Sequence, residues 1–479
     1  MNLFKKRFIT IVSVLIIFII TSCANNETAS VNDTANTPAP TAAATPAPTE
    51  TPPPTPEPTP DPAFEVVKIT NKTLLKAVRE EINKPEGDIT KGELSVITAI
   101  EISNPLSNQP SDFSELHLLE NLTSLNITNV EIKDSTLPPM PNLTSLIINN
   151  TGITDISVLN NSPGLTFLDV SDNKIADISV LSSLTNLQFL NASGNNTKFN
   201  IEFIAPLIDL QYLNISGNKP VININSISSL INLQYLDLND DDMYILNGIS
   251  KLTNLQHLNI SNNKGISNID ELSSLTKLQS LHINGLYKIT DFSVITSLPH
   301  LTSCGLIGTK FTDLKSLTAL PDLTSLSIGG SIITDINALQ YLPNIKELKI
   351  SCDKSDGIDS GKNYYDFQKE SGIKDIKVLQ KLTHLESLTL SGASAPDLRV
   401  LQNLSNLVAL DISYLHFDIR EVVSFIKNLP HLKSLTLYPI SWSKDFSEDE
   451  EVKKKLPDCE IIYIDHYGHH FMRYKPWIP

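Results

Sequence analysis

Five side chains able to stack against or hydrogen-bond a partner recur at a fixed interval: Phe167, Phe189, Tyr212, Tyr235 and His257 follow one another at 22 or 23 residues. Two positions further on runs a second column, Asp169, Asn191, Asn214, Asp237 and Asn259, continued by His282. On neighbouring strands about 4.8 Å apart, the first column becomes an aromatic ladder roughly 19 Å long, with acids and amides along its side. Its chemistry is noncovalent, since rigid aromatic area with polar neighbours is what a recognition surface uses. The blander reading is that rings at this position merely cover a sheet. Further along, the same position turns to serine, at Ser303, Ser325, Ser387 and Ser434.

Other reactive residue types are present without forming a familiar constellation. His466, His469 and His470 fall within the tail "DHYGHHFMRYKPWIP", where packing over the last repeat is a simpler role than holding a transition metal. "DKSDGID", inside segment 352–372, has serine and glycine at the third and fifth loop positions, contrary to the EF-hand pattern. Tyr364 and Tyr365 of that segment are candidates for a contact at one rim. Cys23, Cys304, Cys352 and Cys459 are far apart and match no metal-ligand spacing. G-x-S-x-G, H-E-x-x-H and phosphate-loop motifs are absent from the sequence. The expectation is a non-enzyme with no cofactor and no metal.

The elements that carry the columns come from an internal repeat. L-x-x-L-x-L opens at Leu122, Leu143 and Leu165 and returns as far as Leu432 every 21 to 23 residues, apart from steps of 40 before Leu385 and 25 before Leu432. Degenerate copies at Ile97/Ile100/Ile102 and Cys459/Ile462/Ile464 bring the expectation to about sixteen strands. Each anchor leads to a short phrase such as "TDISVL" at 154–159 or "TDINAL" at 334–339. Such a period leaves little room for a full helix, so 3₁₀ or irregular turns are expected there. One turn cannot bury its own leucines, so stacking must supply the core.

This pattern resembles leucine-rich repeats, of the short 22-residue class found in internalin-like bacterial surface proteins, over residues 63 to 464. The resemblance implies an α/β solenoid, a leucine-rich-repeat horseshoe with about sixteen parallel strands on its concave face and mostly 3₁₀ or irregular convex turns. It also implies that the polar residue after each anchor turns inward to bond the backbone of adjacent coils. Asn173, Asn195, Asn218 and Asn263 occupy that slot, with Asp241, Thr151, Thr309, Ser331 and Asp353 elsewhere. Cys304 and Cys459 fill leucine positions and read as small buried hydrophobes. Both ends need caps. Leu74, Leu75, Val78 and Ile82 share a helical stripe that stops at Pro85 and Gly87, and "EDEEVKKKLP" has the acid-first, lysine-last order of a short helix.

Lys5-Lys6-Arg7 followed by the apolar run Phe8 to Ile20 reads as an export signal, too short for a comfortable span of about 20 residues. Ile20-Thr21-Ser22-Cys23 resembles the bacterial lipobox, which implies cleavage and lipidation at Cys23. Thr37 to Pro62 is almost wholly Thr, Pro and Ala, and in polyproline II its reach is about 80 Å. The organisation expected is a signal peptide at 1–22, a lipid-anchored stalk at 23–62, a helical cap at 63–96, repeats at 97–440 with an insertion at 352–372, and a C-terminal cap at 441–479. The formal charge is −16. It disfavours nucleic acid and anionic wall polymers. The composition, rich in Asn, Ile and Lys, suggests an AT-rich source and favours a low-GC Gram-positive cell, which would place the protein at the outer face of its plasma membrane; a Gram-negative envelope is the alternative. The function expected is an adhesin or surface receptor binding a protein, self or host, on the concave ladder. A carbohydrate- or wall-binding module and a structural spacer are the alternatives.

Overall fold

The computed structural model describes residues 62–474, except 104–109, 134–135, 196–199, 220–223, 331–332, 352–372, 374, 392–396, 413–414, 416–418, 438–451 and 465–469. Cys23, the stalk, Tyr364, Tyr365, Cys352, Ser331, Asp353, His466 and His469 therefore lie outside the described residues. The chain divides into two units, Met1–Glu65 and Val66–Pro479. In the first, Pro62–Phe64 forms a single 3₁₀ turn.

Alternation within each L-x-x-L-x-L anchor decides the architecture of the second unit. Its strands show a buried leucine flanked by half-exposed residues, as in Phe167–Asp169, Phe189–Asn191, Tyr212–Asn214 and Tyr235–Asp237, the period-two signature of a sheet with one face inward. Sixteen parallel strands run in chain order from Ala99–Ile102 to Glu460–Ile464, each paired with the strand of the next repeat. Register places leucine beside leucine: Leu168 pairs Leu190, Leu190 pairs Leu213, and Leu213 pairs Leu236. All four are fully buried, so each coil completes its core only against its neighbours.

The chain leaves the five strands of the ring row through a left-handed residue: Asp172, Gly194, Gly217, Asp240 and Asn262 have φ of 55°, 66°, 74°, 60° and 60°. Gly, Asn and Asp tolerate that conformation best, which explains the recurring "DN", "GN", "DD" and "NN" pairs. The next residue points inward. Asn173 Nδ2 donates to Val170 O at 3.0 Å in its own coil and to Ile148 O at 2.6 Å in the preceding one. Its Oδ1 accepts from Thr151 N at 2.9 Å. Asn195, Asn218 and Asn263 repeat the arrangement, so the loop backbone is satisfied although buried. Leu286, fully buried, takes the slot after Asn263 and interrupts this ladder.

The return path is 3₁₀, as in Ser157–Asn161, Ser179–Ser183 and Asn337–Tyr341. The aspartate of the "TD" and "AD" phrases at 154–159 and 176–181 accepts the N–H two residues on, Asp155 from Ser157 and Asp177 from Ser179, both at 2.8 Å. The repeat with the 25-residue step accommodates an α-helix, Ile419–Ile426.

At the N-terminal end Lys72–Glu81 is helical, with Asn71 Oδ1 capping Thr73 N and Leu74 N at 2.9 and 3.0 Å. Leu74 and Val78 are buried, and Leu75 and Ile82 pack beside them partly exposed. A second helix, Lys91–Ser95, opens with a reciprocal capping box between Thr90 and Glu93. At the other end Val452–Lys455 is helical, and His470–Tyr474 adds an antiparallel strand to Glu460–Ile464. The tail thus covers the last coil by extending its sheet. Cys304 and Cys459 are buried, and burial pushes both thiols up to about 12, as inert hydrophobic positions require.

Candidate recognition face

The five expected ring positions meet on one sheet face. Phe167 pairs Phe189 in register, Phe189 pairs Tyr212, Tyr212 pairs Tyr235 and Tyr235 pairs His257. The first four rings are stacked, with centroids 4.1, 4.1 and 4.2 Å apart and planes within 11° of parallel. His257 continues the row at 5.9 Å, tilted by 37°. Identical side chains on parallel strands should repeat at the strand spacing of about 4.8 Å. The shorter ring spacing follows if the sheet curls toward the ring face, which makes that face the concave one.

Self-stacking changes what the ladder offers. Each inner ring has both faces against its neighbours, so edges, hydroxyls and the two ends of the stack remain for a partner. A sugar needs an open ring face to stack upon, so the row as a whole is a poor glycan platform. A polypeptide can lie across ring edges while bonding the polar column alongside.

That column is pre-set. Asp169 Oδ1 accepts from Ser171 N at 3.0 Å and Asp237 Oδ1 from Asn239 N at 2.9 Å. Asn191 and Asn259 donate from Nδ2 to Asp169 Oδ2 and Asp237 Oδ2 at 3.2 and 3.1 Å. Asn214 Oδ1 accepts from Ser216 N at 3.0 Å. Carboxylates and amides are thereby locked in orientation before any ligand arrives.

Among known sequences and structures, the model of the leucine-rich repeat region matches residues 142–374. The repeats fold as a leucine-rich-repeat solenoid. The functional domain of the internalin InlJ from Listeria monocytogenes superposes with a TM-score of 0.52 at 19% identity, covering 77% of this chain and 80% of that one. An internalin, InlF, of the same organism gives 0.49 at 28% identity over 76% of this chain and 94% of that one. No curated protein matches the sequence.

Several titratable groups on the ring face are perturbed. Burial pushes the Tyr212 phenol far up, with Tyr235 and Asp237 adding to the shift. Burial likewise raises Tyr235 and Asp237, the latter against hydrogen bonds from Asn239 and Asn259 that pull it down. His257 and His282 are both lowered, first by burial, with His282 adding to the effect on His257. Near neutral pH the imidazoles are therefore mostly uncharged and free to accept a proton.

Residues that the spacing did not single out complete this end of the face. Gly305 and Lys349 belong to the second column, after His282, and Asn284 and Lys264 stand beside it. The legible signal was a lone glycine interrupting a polar column.

Proposed function

We propose that this leucine-rich-repeat protein is an exported, lipid-anchored binding module, an adhesin or surface receptor, that takes a protein partner across the ring stack of repeats 165–284. The observation that carries this reading is the stack itself: four rings at 4.1 to 4.2 Å, half exposed and flanked by an already hydrogen-bonded column of carboxylates and amides. A surface so organised loses little side-chain entropy when a partner docks. The basic-apolar N-terminus and Cys23 supply export and tether, and the Thr/Pro stretch to Pro62 holds the module away from the membrane.

The test is capture from cell-surface extracts, beside a glycan panel, with the full chain and with a variant carrying Phe167→Ser, Phe189→Ser, Tyr212→Ser and Tyr235→Ser. Circular dichroism first confirms that the variant folds. A protein held by the native chain and lost by the variant supports the reading. Equal capture by both removes the ring stack as the site, and retention of a glycan alone overturns the protein assignment.

A further inference from the structure

The ring row stops where a cavity begins. After His257 the third-position residues are Ser280 and Ser303, and in the second column His282 is followed by Gly305 and Ser327 before Lys349. A Cβ at Gly305 would stand 2.5 Å from His282 Nδ1 and 3.0 Å from Asn284 Nδ2. Glycine is thus what lets those two side chains lie over its strand. Beside the small residue Ser280 lies a cavity of about 660 Å³ whose lining also includes His257, His282, Asn284, Lys264 and Lys349.

Several of its lining groups present donors, beside one carboxylate, that of Asp240. Asn284 Oδ1 is taken by Ile307 N at 2.8 Å, so its amide presents N–H groups. Asn259 is used at both ends, donating to Asp237 at 3.1 Å and accepting from Ser261 N at 3.1 Å. The Asp240 carboxylate, itself in the lining, is paired with Lys219 at 2.7 Å. Among the described residues, neither Lys264 nor Lys349 has a carboxylate within 4.0 Å. Two unpaired ammonium groups, two imidazoles and an amide therefore converge on one hollow of a chain whose net charge is −16. Screening over about 8 Å at physiological salt lets these near charges outweigh the distant field.

We infer that this hollow is a carboxylate subsite, which seats an aspartate or glutamate side chain of the protein docked on the adjoining ring stack. The inference rests on the reading of that stack as a protein-binding face. A carboxylate in the hollow receives charge-assisted hydrogen bonds from Lys349 and Lys264 and further ones from the imidazoles and the Asn284 amide. Ser280 in its lining gives it room, and Gly305 lets His282 and Asn284 lie as they do. The position also accounts for where the ring row ends: a sixth ring at Ser280 would fill the space.

The full chain with carbon-13 at the histidine Cε1 positions tests the assignment by NMR, with His257→Gln and His282→Gln assigning the two signals. The probes are N-acetyl-glutamate amide, its neutral isostere N-acetyl-glutamine amide, N-acetylglycine for a terminal carboxylate, and glucuronate for an acidic sugar. The expected result is movement of both signals with the glutamate probe and none with the glutamine probe. Lys349→Gln and Lys264→Gln should each weaken the response about two- to fivefold, as befits an exposed charge. Silence with the glutamate probe, equal movement with its neutral isostere, or no weakening in either lysine variant overturns the subsite. A stronger response to glucuronate or N-acetylglycine overturns the side-chain assignment. The lysine variants leave the ring stack intact, so loss of this subsite is distinguishable from loss of the protein-binding face.

Discussion

Asn218 N–H donates to Asp241 Oδ1 at 2.8 Å across one coil boundary, while Asp241 Oδ2, fully buried, has no hydrogen-bond partner. At the same slot Asn218 and Asn263 turn an Nδ2 donor toward two carbonyl oxygens each. An ionised carboxyl in that environment would face acceptors with an acceptor, whereas a protonated one restores the donor. Burial accordingly raises Asp241 from an ordinary value of 3.8 to about 8, against the stabilising Asn218 N–H.

This gives a pH dependence with a definite sign. The unfolded chain loses the Asp241 proton near pH 4 and the folded chain only near pH 8, so folding binds a proton in between and stability falls as pH rises through that window. Asp241→Asn supplies the donor at every pH. The variant should match the native chain below pH 4 and exceed it by on the order of 3 kcal/mol at pH 9. Urea midpoints across this range decide it, and parallel curves for the two chains would show that the carboxyl is not the titrating group.

The asparagine ladder should be costly to break. Asn195→Ala removes donors to Val170 O and Ala192 O and the acceptor for Ile175 N. With these groups left buried and unmatched, the loss should be about 3 kcal/mol. Hydrogen exchange should show it centred on coils 170–218. A loss below about 0.5 kcal/mol would mean that water replaces the amide.

The ring stack makes a positional prediction. Tyr212 has a stacked ring on both sides and Phe167 on one. At about 0.5–1.5 kcal/mol per aromatic pair, Tyr212→Ser should destabilise roughly twice as much as Phe167→Ser through stacking alone. Equal losses in thermal unfolding would indicate that ring burial, not mutual stacking, holds the row.

Much of this was legible because the repeat enforces it. A leucine every second strand position and a Gly, Asn or Asp before each inward polar residue fix strand count, register and turn geometry together, and the cap helix at Lys72–Glu81 follows from Leu74 and Val78. Two other features outside the repeat were not legible. The strand His470–Tyr474 has no anchor pattern of its own and exists by pairing with Glu460–Ile464. The helix Lys91–Ser95 is too short for periodicity to reveal. At the site, the columns could be placed by counting, but their mutual stacking required knowing the ring spacing. The hollow at Ser280 depends on a large side chain that is missing, and periodic patterns do not advertise that.

Two glycines compare backbone strain alone with strain and crowding together, since Gly329 too has a positive φ, +153°. A Cβ at Gly217, φ +74°, meets nothing nearer than 3.6 Å, so Gly217→Ala carries the left-handed penalty of about 1–2 kcal/mol and little else. A Cβ at Gly329 falls 1.7 Å from Ser351 O, on the paired strand Glu347–Ser351. That oxygen is held by Gly330 N at 2.9 Å, so relief requires moving the strand pair apart. Gly329→Ala should therefore destabilise by more than Gly217→Ala, on the order of 3 kcal/mol or above, and loosen the neighbouring coils before the rest. Thermal unfolding ranks the two variants. If Gly217→Ala proves the worse, the strand edge at Ser351 yields more readily than the turn, and coil spacing there is set by the loops instead of the ladder.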